Sequence, residues 1–217
     1  MIKYLITPSL INSFEYYIGD EWKTPEDSRA DFLKTLSRER FKPNEAMQKG
    51  IDFEDDINKV CQNKYLFYDF GCKDENEKGL EKILQYEEII SNIAKIVKNG
   101  LWQESCKKDM NFGNFDIILY GRCDVIKADT IYDIKYTGNY DIGKFQNSIQ
   151  HLIYMYCLDL PKFAYLISNG KDWWREDYIN CSKIEDNIRS KVNNFFEYLK
   201  TDKEAKRIFH NNWKSKY

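Results

Sequence analysis

FDIILYGRCDVIKADTIYDIKY, residues 115–136, is two apolar runs around a short polar turn. That is the pattern of a β-hairpin. The first strand is read over residues 115–126 and the second over 130–136. Centring the turn between Ala128 and Asp129 sets Asp124 opposite Asp133 and Arg122 opposite Lys135. Strand side chains alternate, so these four share one face, and Val125, Tyr132 and Ile134 take the other. Directly opposed residues bring their Cβ atoms to about 5 Å, where like charges destabilise. Two carboxylates so placed in a half-buried sheet repel unless one holds a proton or a divalent cation lies between them. Mg²⁺ is a hard ion that accepts carboxylate oxygens, and a lysine two residues on can orient or activate a water. The hairpin reads as a metal site with an ammonium beside it.

The whole sequence sets bounds on that reading. With 217 residues, 42% of them hydrophobic, the chain can build one well-cored domain. It is divided here into a mainly helical part (1–99), a sheet core (100–180) and a C-terminal helix with a basic tail (181–217). The net charge of −2 carries no overall nucleic-acid signature, so such contacts must come from local patches. No apolar run approaches the roughly 18 residues of a membrane span. The opening MIKYLITPSL lacks the layout of a signal peptide, and a cytoplasmic address is expected. The six cysteines, at 61, 72, 106, 123, 157 and 181, form no C-x-x-C pair. Reduced, mostly buried thiols are therefore expected, and no zinc knuckle or iron–sulfur cluster.

Outward from the hairpin, the elements alternate between helical and extended patterns. Thr7 and Pro8 read as the cap and first position of a helix that stops near Gly19, and Pro25 as a second helix start. Lys34, Arg38, Arg40 and Lys42 form a basic cluster, read as a solvated face with a phosphate-contacting surface as the alternative. Across 44–62, Met47, Gly50, Glu54, Ile57 and Cys61 trace one helical stripe with Phe53 and Val60 beside it, while Asp52, Asp55 and Asp56 lie off it. Glu54 is a carboxylate in an apolar stripe and needs a proton, a cation or a metal. A polar loop over 63–78 leads to a long helix over 80–99, stopped by Gly100. Residues 101–107 read as a strand and 107–114 as a turn.

After the hairpin, 144–158 reads as a buried helix with Gln150 and Tyr154 on one face, and 163–168 as a short strand. Strand, helix, strand in that order implies a parallel pair with the helix laid over the sheet. Trp173 and Trp174 open a further strand, read as core and edge packing with a base-stacking platform as the alternative. Ser182 is read as the cap of a last helix to Leu199. The tail, with Lys203, Lys206, Arg207, Lys214 and Lys216, reads as disordered or as touching a polyanion.

Taken in order, these residues resemble the PD-(D/E)XK nuclease superfamily, and within it the RecB-like and phage-exonuclease branch. Gly50-x-x-x-Glu54 looks like the first-helix motif, and Gly121-Arg122-Cys123-Asp124 like the glycine–arginine–x–aspartate strand. Asp133-Ile134-Lys135 with Thr137-Gly138 resembles the aspartate–x–lysine strand and its exit, and Gln150 to Tyr154 the Q-x-x-x-Y helix. Glu104 stands where many RecB-like members carry a glutamate, and Ser9-Leu10 with Phe14-Glu15 resembles the branch's N-terminal helix. The motifs span 50–154, about half the chain. One departure is Glu54, where RecB-like members often use histidine and phage-type members glutamate. An acid–x–lysine triplet alone says little: Glu21-Trp22-Lys23 and Glu204-Ala205-Lys206 also satisfy it, without a flanking strand or a partner carboxylate.

The resemblance implies an α/β (α+β) fold, a restriction-endonuclease-like core whose central mixed β-sheet is flanked by helices, with an N-terminal helical region. It implies Mg²⁺- or Mn²⁺-dependent hydrolysis of DNA phosphodiesters by one or two ions. Asp124, Asp133, Glu54 and the carbonyl of Ile134 would hold the metal, and Lys135 would position the nucleophile. Gln150 and Tyr154 would steady the lysine, a water or the backbone of the nucleic acid. Arg122 would contact phosphate or serve charge balance. Exonuclease action leads by branch. The alternatives are a structure-specific or restriction-like endonuclease on the same core, and a non-catalytic module that binds nucleic acid or protein.

Overall fold

A computed structural model describes residues 3–19, 23–40, 42–64, 77–113 and 115–215, with side chains of the helix at 77 described from residue 80. The architecture is α/β: a six-stranded mixed sheet between two layers of helices. Strand β1 (Lys3–Ile6) leads into α1 (Pro8–Gly19), where Leu10 donates its N–H to Thr7 Oγ1 and Pro8 fills the first helical position, as expected. Thr24 caps α2 (Pro25–Ser37) and Asn44 caps α3 (Glu45–Cys61), each accepting from a backbone N–H three residues on. Helix α4 (Glu77–Val97) precedes β2 (Leu101–Asn111), β3 (Asp116–Lys127) and β4 (Thr130–Tyr136). Then come α5 (Ile149–Leu158), β5 (Lys162–Ser168), β6 (Trp173–Ile179), α6 (Ile184–Thr201) and α7 (Lys203–Asn212).

The hairpin lies where its sequence placed it. Lys127 pairs with Thr130 around the two-residue turn Ala128–Asp129, and Ile126 with Ile131. Ala128 takes the left-handed backbone (φ 53°) that two-residue hairpin turns favour. Strands β4 and β5 run parallel with α5 between them, as the strand–helix–strand order requires. The sheet separates two cores. On one face, α1, α2, α5, α6 and α7 cover Ile117, Leu119, Ile131, Phe163 and Tyr165. On the other, α3 and α4 bring Phe53, Ile57, Ile90, Ile93 and Val97 against Val125, Tyr132, Ile134 and Leu166.

Several elements differ from the sequence reading. Strand β2 runs on to Asn111 instead of turning at Lys107, because Cys106 and Met110 are buried, Lys108 between them reaches the Tyr156 carbonyl, and Lys107 and Asp109 point outward. Helix α5 starts at Ile149, not at 144: Gly143 (φ 84°) and a series of turns occupy that stretch, and Ser148 caps the helix. Ser182 is not a cap; Lys183 precedes α6 and supplies no side-chain bond. The tail is α7, whose Ala205 and Phe209, with Trp213 after it, are buried at four-residue spacing. Arg38 of the basic cluster lies over the Trp213 ring at 4.7 Å. Met47 is exposed, so the inward stripe of α3 runs through Phe53 and Ile57. Asp56 accepts from Tyr86 Oη rather than facing only solvent. Trp173 and Trp174 are both half-buried, one against each core, which is packing rather than a platform. Most of the expected polar loop, Cys72 and Lys216 lie outside the described residues.

Candidate active site

The site arises from how strands share the edges of β3. Strand β2 pairs with β3 from Asp116 to Ile126 and takes one edge. The other edge is divided: β1 pairs with residues 116–119 and β4 with 125–127. Between those two partners, residues 120–124 face a fork. Side chains close it in place of a strand. Asp124 Oδ2 accepts the N–H of Ile134 at 2.8 Å, and Tyr154 Oη donates to the carbonyl of Arg122 at 2.9 Å. Backbone groups that lose a ladder partner must find another, and two of the motif residues supply it. Gly121 has a steric reason: a Cβ there would lie 2.1 Å from Tyr154 Cε1.

Asp133 stands at the mouth of the fork and is 1% exposed. Gln150 Nε2 donates to its Oδ1 at 2.5 Å. Lys135 Nζ lies 2.5 Å from Oδ2, yet that oxygen lacks a directed hydrogen-bond donor. The ammonium is close enough for an ion pair, though its angles do not make a directed hydrogen bond. Gln150 also contacts Tyr154 Oη at 3.4 Å, so the Q-x-x-x-Y pair of α5 bridges Asp133 to β3. Glu54, on α3, receives a hydrogen bond from Gln103 Nε2.

The electrostatics fit carboxylates forced together. Burial raises Asp124 well above the ordinary carboxylate range, and the charges of Asp133 and Glu54 raise it further. Burial raises Asp133 against the pull of Lys135 and Gln150, and raises Glu54 against the Gln103 hydrogen bond. Burial pulls Lys135 down, but Asp133, Asp124 and Glu54 outweigh it and hold the ammonium charged.

Neither expected pair, Asp124 with Asp133 or Arg122 with Lys135, belongs to the ladder, because pairing of β3 with β4 ends at Val125 and Tyr132. Alternation also breaks here: Cys123 belongs to the core under α5 and Val125 to the core under α3. Exposed Arg122 turns to β2, donating from Nε to the carbonyl of Gln103 at 3.1 Å, and its charge favours ionised Glu54. Glu104 is exposed. Its neighbour Gln103, to which the sequence pattern assigns no role, reaches Glu54 instead. A signal existed only in part: an amide beside the motif glutamate, in a strand whose alternation hides a left-handed residue.

Similar solved structures include those of two proteins. One is a crystal structure of an alkaline exonuclease (LHK-Exo) from Laribacter hongkongensis, 11% identical with a TM-score of 0.48, the match covering 95% of this chain and 92% of that one. Its complex with dAMP gives 12%, 0.47, 95% and 92%. The other is the crystal structure of SSO0001, 12% identical with a TM-score of 0.45, covering 88% and 75%. Comparison by sequence finds no matching family model and no matching curated protein.

A divalent metal fits the donors by their chemistry. Asp124, Asp133 and Glu54 offer hard oxygens, the kind Mg²⁺ and Mn²⁺ take. Asp133 Oδ2 is a buried acceptor with no directed donor. Among the described residues, no three His, Cys, Asp or Glu side chains stand as a preformed cage. Lys135 and the Ile134 N–H hold carboxylate oxygens that a cation would share. A cleft of about 660 Å³ has Lys135, Gln150 and Tyr154 in one wall and Ser9, Asn12 and Tyr16 of α1 in another. No described helix is long and apolar enough to cross a membrane.

Proposed function

We propose that the chain is a metal-dependent deoxyribonuclease of the PD-(D/E)XK type, an exonuclease of the RecB-like and phage branch. The observation that carries the reading is the fork: Asp124 and Asp133 brought together where β3 and β4 part, with Lys135 against Asp133. The whole chain acts as one nuclease domain on DNA in the cytoplasm, in keeping with five described cysteines that are all free thiols.

Asp124, Asp133, Glu54 and the Ile134 carbonyl would hold one or two Mg²⁺ or Mn²⁺ ions. When bound, the cation supplies Lewis acidity to the phosphate and to water. Lys135, kept protonated by the surrounding carboxylates, orients the attacking water and offsets the charge that builds on the phosphate oxygens. Gln150 fixes the rotamer of Asp133, and Tyr154 satisfies the Arg122 carbonyl at the fork. Arg122, exposed and with its charge felt by Glu54, would meet a phosphate of the incoming strand or serve charge balance.

End-labelled linear DNA and closed circular DNA, each with Mg²⁺ and with chelator, test this. Loss of the linear substrate alone, only with metal, is the expected result. Cutting of the circle would make the enzyme an endonuclease on the same core. Retention of both substrates with metal would leave a binding module and remove the enzymatic reading. Asp133→Ala and Lys135→Ala should each lower cleavage by at least about a hundredfold with an unchanged circular dichroism spectrum.

A further inference from the structure

Strand β2 contains a residue that a strand should not hold. Gln103 has φ 57°, the left-handed region, as the third residue of an eleven-residue strand. Its neighbours Trp102 and Glu104 pair with Val125 and Cys123, but Gln103 and Asp124 between them form no ladder pair. An L-residue other than Gly, Asn or Asp avoids this conformation because its Cβ crowds the following carbonyl. The irregularity lies directly across from Asp124.

The break has two consequences. The Gln103 carbonyl receives Arg122 Nε, which ties β2 to β3 where the ladder lapses. The Gln103 side-chain amide donates to Glu54 Oε1, a residue 49 positions earlier on α3. Regular extended backbone would keep Gln103 in the ladder, its side chain alternating with those of Trp102 and Glu104. Such strained positions persist where the surroundings over-determine them, often next to sites that need a fixed geometry.

We infer that Gln103 is a positioning residue that holds the Glu54 carboxylate toward Asp124 and Asp133 for a divalent cation, and that the left-handed break in β2 exists to aim it. This rests on the nuclease reading. An amide donating to one carboxylate oxygen leaves the other to face the ion and fixes its rotamer, as outer-shell partners of metal ligands do. Glutamine suits this position because it donates without adding charge beside three carboxylates.

Glycine and alanine at this position separate aim from fold. Gln103→Gly removes the amide and relieves the left-handed backbone; Gln103→Ala removes the amide and keeps the strain. Calorimetric titration with Mn²⁺ alone reads the site without turnover. The expected result is Mn²⁺ affinity weakened about tenfold in Gln103→Gly, while its metal-free melting temperature stays at or above that of the unmodified protein. Gln103→Ala should weaken Mn²⁺ equally and melt lower. In a Glu54→Gln background, adding Gln103→Gly should bring no further loss, because residues acting through one another are non-additive. Unchanged Mn²⁺ affinity in Gln103→Gly, or an equal loss with and without Glu54, overturns the inference and leaves the nuclease reading standing. An unmodified protein that neither binds Mn²⁺ nor cuts DNA removes both.

Discussion

Asp133 illustrates how one residue type serves opposite ends. Its burial is unfavourable to the charged form, and Lys135 and Gln150 supply the compensation. A pair of acids and a lysine at that spacing could be read from the hairpin, since turn and register follow from the apolar pattern. Arg122 could not, because its direction goes with a break in alternation on β3 opposite the left-handed Gln103 of β2. His151 is a different case: nothing in the sequence separates it from the motif residues on either side. It is buried, stacked on Tyr178 at a ring separation of 4.1 Å, and burial, reinforced by Lys191, holds its imidazole at about 4. The unfolded chain takes up the proton near pH 6.5 and the fold resists until pH 4, so this group's share of stability is complete above 6.5 and is lost on acidification toward 4. The loss approaches about 3 kcal/mol. Urea unfolding of His151→Phe between pH 4.5 and 7 should show a shallower fall with acid than the unmodified protein. Parallel curves would count against a neutral buried imidazole.

Among elements, β3 to β6 and the long helices are legible in the sequence, whereas β1, the far half of β2 and the irregular joints are not. Strand β4 matches its reading from Thr130 to Tyr136 because its apolar side chains alternate between two cores. The pattern overextends α5 because Phe145 and Gln146 continue a plausible helical period; only Gly143 in positive φ and the Ser148 cap set its start. Helix α7 is hidden because its basic surface dominates its composition, although Ala205, Phe209 and Trp213 keep a four-residue period. The contact between α5 and β3 is the joint that matters most for the site. Gly121 admits the Tyr154 ring, and any Cβ there would overlap it. Gly121→Ala should cost about 1–3 kcal/mol, read as a lowered denaturation midpoint, and should lower activity as the ring is pushed off Arg122. A variant as stable and active as the original would mean that the ring can move aside freely.

At the scale of the molecule, two helical layers clamp a sheet that is open along one stretch of one strand. The layer under α5 holds Asp133 through Gln150, and the layer under α3 brings Glu54 through Gln103. Acids gathered from the sheet and from α3 repel in the metal-free protein, so a cation that binds the folded form adds stability by mass action. Mg²⁺ at millimolar concentration should raise the melting temperature of the unmodified protein. In Asp124→Asn the metal-free melting temperature should rise, because a buried repulsive charge is gone, and the response to Mg²⁺ should vanish. A full response in that variant would place the ion elsewhere.

Crystals soaked in Mn²⁺ and measured at the manganese absorption edge examine the fork itself. An anomalous peak is expected within about 2.2 Å of a carboxylate oxygen of Asp124 and of Asp133. A protein that digests DNA with manganese but shows its only peak away from both aspartates would contradict that expectation.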